Sequence, residues 1–299
     1  MDKPAGSSYV DRKHMIKRIY QTLLIIPAVV LLAAATHDFF ILPEAFFLHK
    51  GDKLNLHLLE GDLFVKQDEI GYPAAKLSSF VLYNGKKKVD LSGFAKDTTN
   101  LLQNYPVEMS GQNVVSAITD IGHSNYSRDA YADFLTQLGY DKMADKVKNG
   151  SQFRVKEKYV RYLKTLFSVD DHDGSAYEKK LDNDFEIVLV DNPYDKRFGE
   201  DMVASLRFMN KPVAGAIVSL YIKALSGNVY TQNYTTDAKG EVTITMSREG
   251  IYMLRSVRVE ATTDKDADYA SWWATYTFPF SSSDESLNSY KEFGFGNLH

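Results

Sequence analysis

The chain has 299 residues with 44% hydrophobic and 25% charged side chains, which is ordinary for a globular protein. This composition argues against a disordered chain and against a membrane protein with several spans. The 39 acidic residues outnumber the 35 basic ones, which argues against nucleic acid as a partner. Cysteine is absent, so disulfides, thiolate metal ligands, a cysteine nucleophile and a lipoprotein anchor are excluded.

The N-terminus has the pattern of an export signal. Basic residues precede an apolar run over residues 22–35 that ends in small side chains. The run has about 14 residues, fewer than the roughly 20 that span a bilayer, although a longer count leaves an uncleaved anchor as the alternative. Met15 is an alternative start, which would make residues 1–14 an over-extended beginning. We predict a signal peptide over residues 1–36 and a periplasmic or secreted protein that touches a membrane only if the signal is retained.

Residues 37–198 have the pattern of a β-rich domain. Residues 39–42 and 53–59 are predicted strands, because they are rich in strand-forming residues and turn residues lie between them. In the second strand three leucines share one face, while His57 lies on the other face with an asparagine. Further along, Asn84-Gly85 is typical of the tight turn of a β-hairpin.

Residues 128–167 interrupt this pattern with helical spacing. A first helix is predicted from Arg128, with apolar residues on one face, and it ends at Gly139. A second helix is predicted over residues 153–167, where aromatic and aliphatic residues recur at helical intervals and five basic residues form a solvated face. The sequence therefore predicts a two-helix insertion.

Residues 199–280 have the pattern of a separate β-sandwich domain. Turn residues rich in Asp, Gly and Pro recur at regular spacing between predicted strands. The six strands are predicted over residues 202–208, 216–223, 229–235, 241–245, 250–259 and 270–278. Residues 281–299 are predicted to be a flexible tail.

Seven short segments, in this order and spacing, resemble the exported DUF4198 family. They are HDFF at 37–40, LLEGDLF at 58–64, FLTQLG at 134–139, KYVRYLK at 158–164, FEIV at 185–188, DNP at 191–193 and DADYASWWA at 266–274. Members are often named after a periplasmic component of nickel or cobalt uptake (NikM-like). The resemblance therefore implies export and, as a partner, a membrane transporter for a metal ion.

A second resemblance concerns the C-terminal domain. The segments NKPVAGA at 210–216 and TTDAKGE at 235–241 resemble a transthyretin-like or carboxypeptidase-regulatory-like β-sandwich, a likeness of fold and not of function. The predicted fold class is mainly β, with an N-terminal β domain that carries a two-helix insertion, followed by an immunoglobulin-like or transthyretin-like β-sandwich.

The predicted cleavage site creates a possible metal site. Cleavage after Ala35 would leave Thr36-His37 at the mature N-terminus, where the free amine and the amide and imidazole nitrogens of His37 could chelate Ni²⁺, Co²⁺, Cu²⁺ or Zn²⁺. Cleavage after Thr36 instead would make His37 itself the N-terminus, and its amine and imidazole could also chelate a metal ion. The alternative is that His37 merely begins an edge strand, and the family resemblance favours the metal.

Other histidines are weaker candidates. His57 could be a further ligand, although its position suits plain solvent exposure equally well. His49 lies in a predicted turn, His123 in a predicted loop and His172 in an acidic loop, so we predict that all three are exposed.

The sequence has no recognisable catalytic motif, phosphate loop or dinucleotide fingerprint. We therefore predict a non-enzymatic binding protein that is accessory to transition-metal uptake. The alternative is a structural or glycan-binding module of the cell envelope without metal, since Trp272 and Trp273 with nearby tyrosines could form a sugar platform. Strand alternation sends these two tryptophans to opposite faces, which favours one of them in the core.

Overall fold

A computed structural model describes residues 37–96 and 99–281. The predicted signal peptide over residues 1–36 and the predicted tail from residue 282 onward lie outside the described residues. Within the described part, no helix is long and apolar enough to cross a membrane.

The described part of the chain is mainly β, as predicted. Its strands are β1 (Asp38–Pro43), β2 (Phe47–Leu48), β3 (Lys53–Gly61), β4 (Asp68–Glu69), β5 (Leu77–Asn84), β6 (Lys87–Asp90), β7 (Leu102–Pro106), β8 (Gly111–Thr119), β9 (Gly122–Ser127), β10 (Arg154–Val169), β11 (Phe185–Leu189), β12 (Asp201–Phe208), β13 (Lys211–Pro212), β14 (Ile217–Ala224), β15 (Val229–Thr235), β16 (Glu241–Thr245), β17 (Gly250–Ala261) and β18 (Tyr269–Phe280). Its α-helices are α1 (Tyr72–Ala75), α2 (Arg128–Gln137) and α3 (Asp141–Lys148), and short 3-10 turns lie at Ala176–Glu178 and Pro193–Asp195.

Ten strands form one central sheet. Its order is β15-β14-β17-β18-β10-β8-β5-β6, and β2 and β9 also pair with β10. The long strand β10 pairs in parallel with β18 over Glu157 to Thr165, which joins the N-terminal strands to the C-terminal ones. The central sheet therefore contains strands from both sides of the predicted domain boundary near residue 199. The domain limits stay a prediction.

Two smaller sheets cover the faces of the central sheet. The first outer sheet contains β1, β3, β4 and β7, and the second outer sheet contains β11, β12, β13 and β16. Alternate residues of the central strands enter different cores: Leu163 and Met253 pack with the first outer sheet, whereas Tyr162 and Leu254 pack with the second. The central sheet is thus buried on both faces, which explains its near-continuous apolar strands such as β17.

The predicted helix over residues 153–167 is wrong, because these residues form β10. The helical insertion is shorter than predicted and comprises α2 and α3. The β-branched and aromatic residues of this segment favour a strand. Burial on both faces removes the polar alternation that would have identified the strand, since two of the five basic residues, Arg161 and Lys164, are buried. The basic side chains are therefore not one solvated face.

Candidate functional site

Strand β1 begins directly after His37 and is held firmly in place. It pairs with β3 along its whole length. From the central sheet, the hydroxyl of Thr275 donates to the carbonyl of Phe39 at 3.0 Å and that of Thr277 to the carbonyl of Ile41 at 2.6 Å. Strand β1 is therefore fixed both to its own sheet and to the sheet below it.

The first residue of β1 takes part in a buried ion pair. Asp38 Oδ1 lies 2.6 Å from Nε of Arg255 on β17, and both side chains are largely buried. Burial raises the pKa of Asp38, although Arg255 and the more distant Arg161 act in the opposite direction. This pair ties the beginning of the first outer sheet to the central sheet.

A second buried cation lies beside the second residue of β1. The guanidinium carbon of Arg161 lies 4.0 Å from the ring centre of Phe39, 4.3 Å from that of Tyr159 and 5.5 Å from that of Trp273. The faces of aromatic rings attract a cation, and arginine does not lose its charge in proteins. Its Nε has no hydrogen-bond partner among the described residues. The aromatic rings therefore provide much of the environment of this charge.

Glu157 lies on the same face of β10 and is also buried. The hydroxyls of Tyr126 and Tyr131 donate to its two carboxylate oxygens at 3.2 and 3.3 Å. Burial raises the pKa of Glu157, and burial together with this carboxylate raises the pKa of both tyrosines, so the phenols stay protonated and keep donating. Since Tyr131 belongs to α2, this network attaches the helical insertion to the central sheet.

The candidate ligands of the metal site are placed as follows. Thr36 lies outside the described residues, and His37 is half-buried immediately before β1. Among the residues that the structure describes, no group of three or more His, Asp or Glu side chains is arranged to hold a metal ion. The chelate predicted at the mature N-terminus would consist mainly of main-chain nitrogens, and Thr36 lies outside the described residues. This finding about side chains therefore does not test the chelate, which stays a prediction.

His57 is buried between two carboxylates. Its Nδ1 lies 2.5 Å from Glu69 Oε1, and its Nε2 lies 3.4 Å from Glu44 Oε1. Burial acts to raise the pKa of Glu69, but hydrogen bonds from His57 and Lys66 outweigh it and hold this pKa at about 2. Either nitrogen of His57 thus already lies beside a carboxylate, and its part as a metal ligand stays a prediction. The solvent exposure that the strand pattern allowed for His57 is wrong, because the side chain is buried.

The other three histidines are exposed, as predicted. His49 lies 3.5 Å from a carboxylate oxygen of Asp170, and the ring of His172 stacks on Tyr194 at 4.3 Å between ring centres. His123 is exposed but lies in β9 instead of a loop.

The two tryptophans lie on opposite faces of β18, as predicted. Trp273 is buried and stacks on Phe134 of α2 at 5.6 Å, whereas Trp272 is partly buried against Phe208 of the second outer sheet. These rings serve packing and do not form a flat exposed platform.

A second buried ion pair, like that of Asp38 and Arg255, was not anticipated from the sequence. Lys164 Nζ lies 2.5 Å from Glu186 Oε1 and also donates to the carbonyl of Ile187 at 2.9 Å. Glu186 further accepts the backbone N–H of Leu181 at 2.8 Å. The signal that could have revealed it is a single glutamate inside the apolar strand β11.

The fold and this site define a three-sheet β protein with a firmly anchored first strand. The family model described as "Domain of unknown function (DUF4198)" matches residues 34–260, so the chain belongs to this family. No curated protein matches the chain.

Two solved structures show a distant likeness to this chain. A tetra-tandem repeat from the extending region of a large adhesion protein is 11% identical with a TM-score of 0.20, over 82% of this chain and 50% of that chain. The D0-D1 domain of Intimin is 14% identical with a TM-score of 0.20, over 82% of this chain and 98% of that chain. The present chain thus spans half the length of the first of them.

Proposed function

We propose that this protein is an exported, non-enzymatic binding protein of the cell envelope. It binds a transition metal ion through its mature N-terminus and delivers the ion to a membrane transporter. The observation that supports this most is the anchoring of β1 directly after His37, through the 2.6 Å ion pair between Asp38 and Arg255 and the hydroxyls of Thr275 and Thr277.

Anchoring matters because the proposed chelate is short. The amine of Thr36 and the amide and imidazole nitrogens of His37 come from only two consecutive residues, and sets of such nitrogen donors suit Ni²⁺ and Cu²⁺ in tetragonal geometry. Because β1 is fixed from Asp38 to Pro43, less conformational entropy is lost when the two residues before it close around an ion. The N-terminal amine exists only after cleavage, which makes export a condition for metal binding.

Isothermal titration of the exported, processed protein with Ni²⁺ and Cu²⁺ tests the site. We expect His37→Ala to weaken binding at least a hundredfold and the exposed control His123→Ala to leave it unchanged. Affinity should also fall at acidic pH, because metal binding displaces protons from the donor nitrogens. Equal affinity of the parent and His37→Ala, or no binding by the parent at micromolar concentration, would favour a structural envelope module without metal.

Export has its own test. Residues 15–36 fused to a reporter should carry it across the inner membrane, because the basic, apolar and small-residue regions occur in the order that signal peptidase requires. A reporter that stays in the cytoplasm contradicts this. N-terminal sequencing then locates the cut, and a retained segment 15–35 would establish the anchored alternative.

A further inference from the structure

The central sheet has two ends with opposite character. One end is β6, with Lys87, Lys88 and Asp90, and it follows a turn that carries Lys86. The other end is β15, with the sequence VYTQNYT, which contains no charged residue, glycine or proline. Natural sheets usually protect their edges with charges, proline or bulges, and lysine is the commonest such charge. The β6 edge is protected in this way, whereas β15 itself carries no charge and the guanidinium carbon of Arg248 lies 3.8 Å from the ring centre of Tyr230.

The outer side of β15 is available for pairing. All seven residues of β15 pair in register with β14, and β15 has no other strand partner among the described residues. Tyr230 to Asn233 are exposed in sequence, whereas Val229 and Tyr234 are partly buried. Every second backbone N–H and C=O of an antiparallel strand points away from its partner, so this edge offers an unused row of hydrogen-bonding groups.

We infer that the β15 edge pairs antiparallel with β15 of a second copy of this chain, around a two-fold axis at Gln232. This register places Tyr230 opposite Tyr234 of the second copy, and Thr231 opposite Asn233. Aromatic pairs and polar pairs of this kind stabilise neighbouring strands, and no like charges meet. A strand that complements itself about its central residue fits an isologous dimer, which needs the same patch on both subunits.

The dimer should be weak. A seven-residue strand is only about 23 Å long at roughly 3.3 Å per residue, and pairing of one edge buries less than the roughly 1,200 Å² of standard interfaces. Association should therefore be visible at high protein concentration and absent at low concentration.

Disulfide trapping tests the register directly, because the chain contains no cysteine. Opposite residues of antiparallel strands have Cα atoms about 4.5–5.5 Å apart, which matches disulfide geometry. Under mild oxidation we expect Gln232→Cys to form a covalent dimer at least tenfold faster than the control Ser226→Cys, which lies in the exposed turn before β15. Equal rates for the two variants would mean random collision and would overturn the proposal.

A charge test gives an independent answer. Sedimentation velocity should show dimers of the parent at high concentration, whereas Gln232→Lys and Gln232→Glu should each raise the dissociation constant about fivefold by placing like charges opposite each other. An equimolar mixture of the two variants should recover dimers. A parent that remains monomeric up to millimolar concentration, or a mixture without recovery, contradicts pairing at Gln232.

Discussion

Two buried ion pairs lie on opposite faces of the central sheet, and each ties a different outer sheet to it. Lys164 and Glu186 join β10 to β11 in a fully enclosed setting, where the lysine and the carboxylate each have further hydrogen bonds. Asp38 and Arg255 join β1 to β17 at the place where the described chain begins its first strand. The first pair joins the second outer sheet to the central sheet, whereas the second fixes Asp38, the residue that follows the proposed metal site.

The largest effect on stability should come from the enclosed pair. Glu186→Ala leaves Lys164 buried without its carboxylate, so we expect the free energy of unfolding to fall by about 3–5 kcal/mol. Urea unfolding followed by circular dichroism measures it. The control is Lys158→Ala, which removes the more exposed pair with Asp264 and should leave the free energy of unfolding nearly unchanged.

The double variant Lys164→Met with Glu186→Leu sharpens this interpretation. Removing both charges leaves neither one unpaired, so its stability should lie much closer to that of the parent than Glu186→Ala does. A double variant that is as unstable as Glu186→Ala would show that the ion pair stabilises the fold by more than the mutual neutralisation of its two charges. Metal affinity should stay unchanged in the double variant, because the pair lies on the other face of the sheet.

Asp38→Asn should have a smaller effect on stability and a distinct effect on binding. Burial raises the pKa of Asp38 and so offsets part of the pairing energy, but the variant leaves the largely buried Arg255 without its carboxylate, which should cost about 1–3 kcal/mol. Because the variant loosens the beginning of β1, we expect Ni²⁺ affinity to fall several-fold in isothermal titration. Unchanged affinity with reduced stability would separate anchoring from metal binding.

The C-terminal half shows how far the sequence predicts this fold. The predicted strands over residues 229–235 and 241–245 coincide with β15 and β16, because clear turn residues lie at both ends of each strand and β16 alternates buried and exposed residues. Strand β10 was missed because both of its faces are buried, so its apolar residues also fit helical spacing. Its parallel pairing with β18 has no local signal, since paired residues such as Glu157 and Tyr269 lie 112 positions apart in the chain.

The candidate site was only partly predictable for a similar reason. His37 was identified from the cleavage pattern, which is local in sequence. Arg255 and Arg161 lie far along the chain from Asp38 and Phe39. The helical pattern also predicts a solvated face for Arg161, which in fact is buried. Buried cations of this kind become visible only when the pairing of strands is known.

The smallest expected effect concerns Glu69 of the first outer sheet, which is partly exposed and paired with His57 and Lys66. The pKa of Glu69 is about 2 in the folded protein, below its usual value near 4.5, so its ionised form stabilises the fold above pH 4.5. This contribution should be lost as the pH falls from 4.5 to 2. Thermal unfolding across this range should show a steeper loss for the parent than for Glu69→Gln, and identical slopes would contradict it.

The central claim is that a free N-terminal amine next to an anchored strand binds the metal ion. The most direct measurement compares processed protein with the same protein after selective acetylation of its N-terminal amine, using Ni²⁺ titration of both. The account predicts that acetylation lowers affinity at least a hundredfold while the free energy of unfolding stays the same, because only the chelating amine has been blocked. Equal affinities of the two proteins would contradict it.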